Sequence, residues 1–434
     1  MLGSFLKKLR SKPVARNSVW MFAGFGMRLV IQALYFLLIA RALGVVQYGA
    51  FVGVTAFVQI LAPFSGLGAG NLLVKHVARD RSAYAEYWGK ALGTTAATGI
   101  VLFIATLLLK RWALSVSVSW SLLILVAVSD LIAFRIIEAA GQAFQAIDQL
   151  KQTAQLNILP NIVRLAGALF AFLYMHHITA RQWGWFYLAS TGLSAIVAVA
   201  AVRWKLGPSG PITILHPREM LEGSYFSTSI AAQTIYNDLD KSMLARMSTL
   251  EATGIYAVAY RFIDVSFTPI RSVLYATYAS FFRKGQESLR STWKYLLRLL
   301  PVFSGYSLAV GVVLYAAAPL VPYMLGKDYA EASVALRWLA LLPLLKSLHY
   351  PAADALTGAG YQGARTAAQV LVALLNAGLN LWLLPRYSWR GAAWSSLASD
   401  GLLIVAMYVL IWWKLRGTEA NVAVGSVDQP ANGV

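Results

Sequence analysis

Twelve apolar stretches follow one another along almost the whole chain: 17–40, 45–70, 88–109, 118–140, 153–175, 183–202, 223–248, 253–282, 295–318, 331–356, 366–385 and 391–413. A helix rises 1.5 Å per residue, so about 20 apolar residues cross the ~30 Å hydrocarbon core of a bilayer. A chain of 434 residues cut this way has no room for a sizeable soluble domain. The composition agrees: 58% hydrophobic and 13% charged residues, with a mean hydropathy of +0.60. Such a balance excludes a soluble enzyme, a disordered chain and a disulfide-stapled secreted module. There is no cysteine, so thiolate zinc sites, iron–sulfur clusters and cysteine nucleophiles are excluded as well. The five histidines are too scattered for a histidine-built metal centre, and no cofactor is expected.

Connections between the stretches are short. The longest, 203–222, contains Gly207-Pro208-Ser209-Gly210-Pro211 near the middle of the chain. It divides the chain into an N-lobe of six helices (17–202) and a C-lobe of six (223–413). Residues 1–16 alternate Leu2, Phe5, Leu6 and Leu9 with Lys7, Lys8, Arg10 and Lys12, a basic segment suited to lying on a membrane surface. Residues 414–434 read as a disordered cytoplasmic tail.

The formal charge of +19 suggests a nucleic-acid partner until the charges are placed. With the N-terminus in the cytoplasm, 20 lysines and arginines fall on the inner side and 8 on the outer side. That asymmetry follows the positive-inside rule and puts both termini in the cytoplasm. The charge is therefore mostly topology, and no nucleic acid is needed.

Nine basic residues remain inside the spans (Arg28, Arg135, Arg164, Lys241, Arg261, Arg271, Arg298, Arg337 and Lys346), with seven acids: Asp130, Glu138, Asp238, Asp240, Asp264, Asp354 and Asp400. Left facing lipid at mid-bilayer, sixteen such groups would cost about 40–55 kcal/mol. Most must pair, snorkel to an interface or line a wet cavity. Helical spacing gathers them into stripes. Arg28, Gln32 and Tyr35 share a face of the first span, and Asn157, Asn161 and Arg164 a face of the fifth. Gln233, Asn237 and Asp240 with Lys241 do so in the seventh, and Arg261, Asp264, Thr268, Arg271 and Tyr275 in the eighth. Gln369, Asn376 and Asn380 mark the eleventh. Each stripe also has a plain structural account. Arg135 with Glu138 and Arg261 with Asp264 stand at i, i+3 and suit ion pairs, Asp240 can neutralise Lys241, and the asparagines can bridge helices. Arg28 has no acid within helical reach in its own span.

An internal repeat supports two halves. Ala40-Arg41 precedes Gly49-Ala50-Phe51, and Ala245-Arg246 precedes Gly254-Ile255-Tyr256. The offset is 205 residues, and both copies join an inside-to-outside span to the next, so the repeat is parallel. The expected fold is therefore twelve transmembrane helices in two six-helix lobes, with pseudo-two-fold symmetry around a central cavity.

Several segments resemble a known family. Arg16-Asn17-Ser18-Val19-Trp20, Leu38-Ile39-Ala40-Arg41-Ala42-Leu43-Gly44 and Tyr48-Gly49 are similar to the opening of polysaccharide transporters, the Wzx-type O-antigen flippases. Asp240-Lys241-Ser242-Met243-Leu244 and Gly254-Ile255-Tyr256-Ala257-Val258-Ala259-Tyr260-Arg261 resemble that family's seventh and eighth spans, and 319–332 its ninth-to-tenth connection. The family belongs to the multidrug/oligosaccharidyl-lipid/polysaccharide exporter superfamily. The resemblance implies alternating access in a bacterial inner membrane. It implies an undecaprenyl-diphosphate-linked oligosaccharide carried from the cytoplasmic to the periplasmic leaflet, and surface-glycan polymerase and chain-length proteins as partners.

The residues suit such a cargo. A diphosphate needs cations in a low-dielectric setting, and guanidinium supplies paired donors. Arg28, Arg261 and Arg271 are the leading candidates, with Lys241 and Arg164 beside them and Gln32 and Asn237 placed for sugar hydroxyls. Asp240 and Asp264 are candidates for coupling transport to an ion gradient. No phosphate-binding loop of the G-x-x-x-x-G-K-[ST] type occurs, so ATP is not the direct energy source and a secondary transporter is expected rather than an enzyme. The nearest alternative is a cation-coupled multidrug exporter of the same superfamily, which would want a cavity of acids and aromatics. A membrane-embedded glycan polymerase or ligase would want a long outer loop, and none is present.

Overall fold

Gly44, at φ 69° and ψ 169°, breaks what would otherwise be one helix from Pro13 to Leu61. A side chain rarely adopts that φ, and here glycine lets the chain turn back between the first two spans. The computed structural model describes residues 13–175 and 178–427, with the side chains of 13–29, 229, 232–233, 236–237 and 417–427 left aside. The basic segment of residues 1–16 thus lies largely outside the described residues.

Fifteen α-helices are present in this range. They are α1 (Pro13–Leu61), α2 (Ala69–Val77), α3 (Tyr84–Ala113), α4 (Trp120–Val128), α5 (Phe134–Gln145), α6 (Leu150–Tyr174), α7 (Ala180–Leu206) and α8 (Pro217–Met247). Then follow α9 (Leu250–Gly285), α10 (Leu289–Ala317), α11 (Val321–Leu325), α12 (Ala330–Leu339), α13 (Leu342–Gly358), α14 (Gln362–Tyr387) and α15 (Trp389–Val427). Joined end to end where a span is broken, they make the twelve rods expected. The fold is an all-α membrane fold of twelve helices in two lobes. The last helix continues past the twelfth span to Val427, into the segment read as a tail.

Among the described residues, eight stretches are long and apolar enough to cross a membrane by length and composition: Val30–Phe64, Arg81–Ala113, Trp120–Gln145, Leu150–Tyr174, Ala180–Leu206, Leu289–Leu325, Gln362–Tyr387 and Trp389–Arg416. The rods that fall short are α8, α9 and the pair α12 and α13. These carry Asp238, Asp240 and Lys241; Arg261, Asp264 and Arg271; and Lys346, His349 and Asp354. A rod polar along one face need not be apolar all round when that face turns away from lipid.

Two compact units emerge from the contacts: Met1–Gly254 with Met324–Asp328, and Ile255–Tyr323 with Tyr329–Val434. The core of the first unit packs Leu72, Leu73, Trp88, Ile137, Phe144 and Val202 among Ala91, Ala140, Ala143 and Ala198. Small residues let membrane helices approach closely, which matters because lipid offers no hydrophobic drive for helices to associate. In the second unit Phe267, Ile270, Leu274 and Phe303 form a smaller cluster under Leu299 and Tyr350.

The linker 203–222 runs inside the first unit, laid along α3. The Gly210 amide donates to the Ala85 carbonyl at 2.7 Å, and the buried Leu215 amide donates to Thr94 Oγ1 at 2.9 Å. Gly89 and Gly93 stand under the Pro211 and Thr213 carbonyls, where a Cβ would collide. At its end Glu219 accepts from the His216 amide at 2.9 Å, from Tyr87 Oη at 2.9 Å and from Lys90 Nζ at 3.2 Å. Burial opposes the charge on Glu219, yet these three donors outweigh it and hold the carboxyl below its ordinary pKa. α8, beyond the linker, packs on α1 in the same unit.

The two copies of the sequence repeat meet within this unit. A Cβ on Gly49 would strike the Leu250 carbonyl, and one on Gly254 would strike the Val45 carbonyl. Residues 45 and 250, like 49 and 254, are separated by the 205-residue offset, so the contact is reciprocal.

Candidate functional site

In the first unit the polar groups converge on Asp130. It lies in a π-helical turn, Ser129–Ala133, between α4 and α5. Such turns inside a helix frequently mark functional sites. Asp130 is 1% exposed. Tyr187 Oη on α7 donates to its carboxylate at 2.9 Å, and Gln59 Nε2 on α1 donates at 3.1 Å. Arg164 on α6 brings Nη2 to 3.7 Å from the carboxylate and donates to Thr191 Oγ1 at 2.7 Å. Its guanidinium sits 3.9 Å over the Tyr187 ring. Pairing and hydrogen bonding together make the burial of Asp130 and Arg164 tolerable. Arg164 is among the binding groups expected from the sequence, whereas nothing in the helices of Gln59, Tyr187 and Thr191 signals their contact with it or with Asp130.

The first and fifth spans also meet through polar groups, Gln32 Nε2 donating to Asn161 Oδ1 at 3.2 Å. Two expected residues fall outside the described side chains: Arg28 on α1 and Asn237 on α8. Lys241 is buried and its Nζ reaches Asp238 at 2.7 Å, while the carboxylate of Asp240, also buried, accepts from the Lys241 backbone amide at 2.7 Å. Lys241 is thus tied to Asp238, the acid one turn back.

In the second unit the eighth span departs from the simplest expectation. Asp264 does not pair with Arg261 at i, i+3 but lies 3.7 Å from Arg271, two turns away, on the half-exposed face of α9. Arg261 is half-buried and has no carboxylate partner among the described residues.

A fully buried cluster lies nearby in the same unit. Lys346 Nζ on α13 donates to Tyr260 Oη on α9 at 3.0 Å and stands 3.9 Å from Asp400 on α15. His349 Nε2 approaches the other oxygen of Asp400 at 3.1 Å. All three charged or chargeable side chains are 4% exposed or less. On α14, Asn376 Nδ2 donates to Ser399 Oγ at 2.8 Å, and Asn380 joins Ser395, so this stripe stitches α14 to α15. Each unit therefore buries one carboxylate with a cation and a tyrosine: Asp130 with Arg164 and Tyr187, Asp400 with Lys346 and Tyr260. Asp354 is a second buried acid, 3.7 Å from Arg365.

A guanidinium such as that of Arg261, without a carboxylate partner among the described residues, has the donors to hold an anionic group.

Comparison with known proteins gives the arrangement a context. The sequence profile described as "Polysaccharide biosynthesis protein" matches residues 14–281, more than half of the chain. No curated protein matches by sequence. Among solved structures, the lipid II flippase MurJ in an inward closed conformation superposes with a TM-score of 0.72 at 14% identity, covering 96% of this chain and 93% of that one. An inward-facing multidrug resistance MATE transporter of the MOP superfamily superposes at 0.71 and 15% identity, covering 92% and 96%. A MOP superfamily transporter from Pyrococcus furiosus, described as having a binding pocket of reversed polarity, superposes at 0.61 and 16%, covering 94% and 96%. At these identities the likeness concerns the fold.

Proposed function

Because the chain belongs to the polysaccharide biosynthesis protein family, we propose that it is a flippase for undecaprenyl-diphosphate-linked oligosaccharide. It carries an O-antigen or exopolysaccharide repeat unit from the cytoplasmic to the periplasmic leaflet of a bacterial inner membrane, with both termini in the cytoplasm. A multi-pass transporter fold of this superfamily underlies the proposal.

The observation that carries the choice of cargo is Arg261. A half-buried guanidinium in a span, without a carboxylate among the described residues, is expensive unless an anion visits it. A diphosphate is such an anion and is matched by the paired donors of arginine. Arg271, only loosely bound to Asp264, is placed to help on the same helix. Arg164 and Lys241, further candidates for the anion, already hold carboxylates. Arg28 adds a further cation on the first span. Gln32 and Asn237 serve the sugar hydroxyls. Asp240 and Asp264 are the proposed ion-coupling groups, driving alternating access by protonation. Surface-glycan polymerase and chain-length proteins would receive the product.

Deleting the gene in its parent cells tests the proposal. Loss of surface glycan with accumulation of lipid-linked oligosaccharide on the cytoplasmic leaflet is expected. Unchanged surface glycan together with new sensitivity to cationic drugs would favour the multidrug exporter and overturn it.

A further inference from the structure

One polar enclosure in the first unit remains unused by the groups above. The second span is broken at 62–68, where Gly66, Leu67 and Gly68 all take positive φ before α2 begins. Leu67, at φ 41°, is a non-glycine residue in a strained conformation, held where the chain re-enters helix. The Gly66 amide is satisfied by Thr98 Oγ1 at 2.7 Å and Ser65 Oγ donates to the Leu131 carbonyl at 2.5 Å, so the break is built into the fold. Gly68 and Gly223 cross so closely that a Cβ on either would strike backbone. That crossing sets α8 against the break and brings Ser227, one turn on, to the pocket.

The pocket leaves about 460 Å³ of empty space, part of it open to the surroundings, and lies wholly within the first unit. Four features of its lining point to a ligand. Ser227 is 1% exposed, yet its hydroxyl has no hydrogen-bond partner among the described residues. A buried hydroxyl left unpaired is costly, and a ligand oxygen would satisfy it. Arg135 donates through Nη1 to Glu138 at 2.6 Å, while no described residue hydrogen-bonds to its Nη2. Glu138 keeps 41% of its side chain exposed beside it. The first turn of α2 lines the same space at Gly70 and Asn71; the Asn71 amide is paired with the Gly68 carbonyl at 2.9 Å, and no described residue accepts from the Gly70 amide.

We infer that this pocket is a saccharide subsite, which grips one sugar ring of the cargo by its hydroxyls; the inference rests on the flippase reading. Each sugar hydroxyl both donates and accepts. The lining matches that, with donors at Arg135 and Ser227 and acceptors at Glu138 and the Gln142 carboxamide, whose nitrogen is already committed to Asn71 at 3.0 Å. A phosphate would match the arginine and the helix start but would meet the Glu138 carboxylate on the same wall. Arg135 and Glu138 carry no net charge as a pair, which suits a neutral ring.

The test uses full-length protein in lipid nanodiscs and two probes: lipid-linked oligosaccharide extracted from cells lacking the gene, and undecaprenyl diphosphate without sugar. Glu138→Gln, which keeps shape and a partner for Arg135, should weaken binding of the glycosylated lipid about tenfold, and Ser227→Ala about threefold. Neither should change binding of undecaprenyl diphosphate. Equal losses for both lipids would make the pocket an anion site, and no loss in either variant would make it structural; both overturn the inference. Should Glu138→Gln fail to fold, Ser227→Ala carries the test alone. If the wild-type protein binds neither lipid, the flippase reading itself falls. If it binds both and the variants change nothing, that reading stands and the saccharide subsite falls.

Discussion

Gly49 and Gly254 occupy equivalent places in the two copies of the repeat and face each other's copy. Gly49 lies under the carbonyl of Leu250 and Gly254 under the carbonyl of Val45. Gly53 adds a third close approach, to Ala245. An offset first visible as two short sequence matches is thus also a reciprocal packing contact, with backbones as near as helices can come. Gly49→Ala and Gly254→Ala should each destabilise the protein by about 1–3 kcal/mol or more, since the collision is with backbone that cannot repack. The double variant should cost less than the sum, because both changes act on one contact. Thermal melting in detergent reads this; additive losses would deny that the contact is shared.

Asp130 and Arg164 depend on each other. Asp130→Asn leaves a buried guanidinium without its counter-charge, and Arg164→Gln leaves a buried carboxylate without its own. Each single change should cost about 3–5 kcal/mol, and the pair of changes should recover a good part of it. Melting temperatures of the three variants, compared with wild type, decide the matter. Single variants as stable as wild type would mean that the ion pair is not holding the helices.

Glu219 makes stability depend on acid pH. Its carboxyl is held below the ordinary glutamate value, against burial, by the His216 amide, Tyr87 and Lys90. The ionised form is therefore favoured in the folded protein. Its contribution is complete above the unfolded pKa of about 4.3 and is lost as pH falls through the lower folded value. Glu219→Gln should lower the melting temperature at neutral pH and flatten the acid limb of the profile between about pH 5 and 3. A variant with the same acid limb as wild type would place the effect elsewhere.

Asp240 and Asp264 are proposed to couple transport to an ion gradient, and the buried Asp400 with Lys346 and His349 is the competing location. In vesicles, collapsing the pH gradient and the membrane potential separately identifies the driving term. Asp240→Asn should remove the response to that term while leaving slow downhill flipping. A response lost in Asp400→Asn and kept in Asp240→Asn and Asp264→Asn would move coupling to the second unit's cluster.

Much of the fold was legible because lipid imposes a length on every helix and because glycine and proline punctuate the turns. Gly44 and the 205-residue repeat carry the first and seventh junctions in plain sight. The helix break at 62–68 was not legible: a proline such as Pro63 inside a membrane helix is tolerated, and only the approach of Gly223 and Thr98 explains why the chain leaves helix there. The sites were less readable, since helical spacing reports faces within one rod and not which faces meet. Arg164 and Asp130 are 34 residues apart on different helices, and Tyr187 and Gln59 carry no local mark. The same limit applies to Asp264, whose nearest basic residue by spacing is Arg261 but whose partner is Arg271. By composition the linker reads as a boundary between two halves, yet it lies along α3, where Gly89 and Gly93 make room for the Pro211 and Thr213 carbonyls.

Arg261, a guanidinium in the eighth span, is proposed to hold the phosphorylated lipid carrier during transport. The most direct measurement is flipping of a fluorescent undecaprenyl-diphosphate-linked saccharide in proteoliposomes. Wild-type protein should flip it, Arg261→Ala should be at least about tenfold slower at equal protein abundance, and Arg261→Lys should fall between them. Wild-type rates in Arg261→Ala, or a wild-type protein that moves a cationic dye and not the lipid, would rule out that role for Arg261.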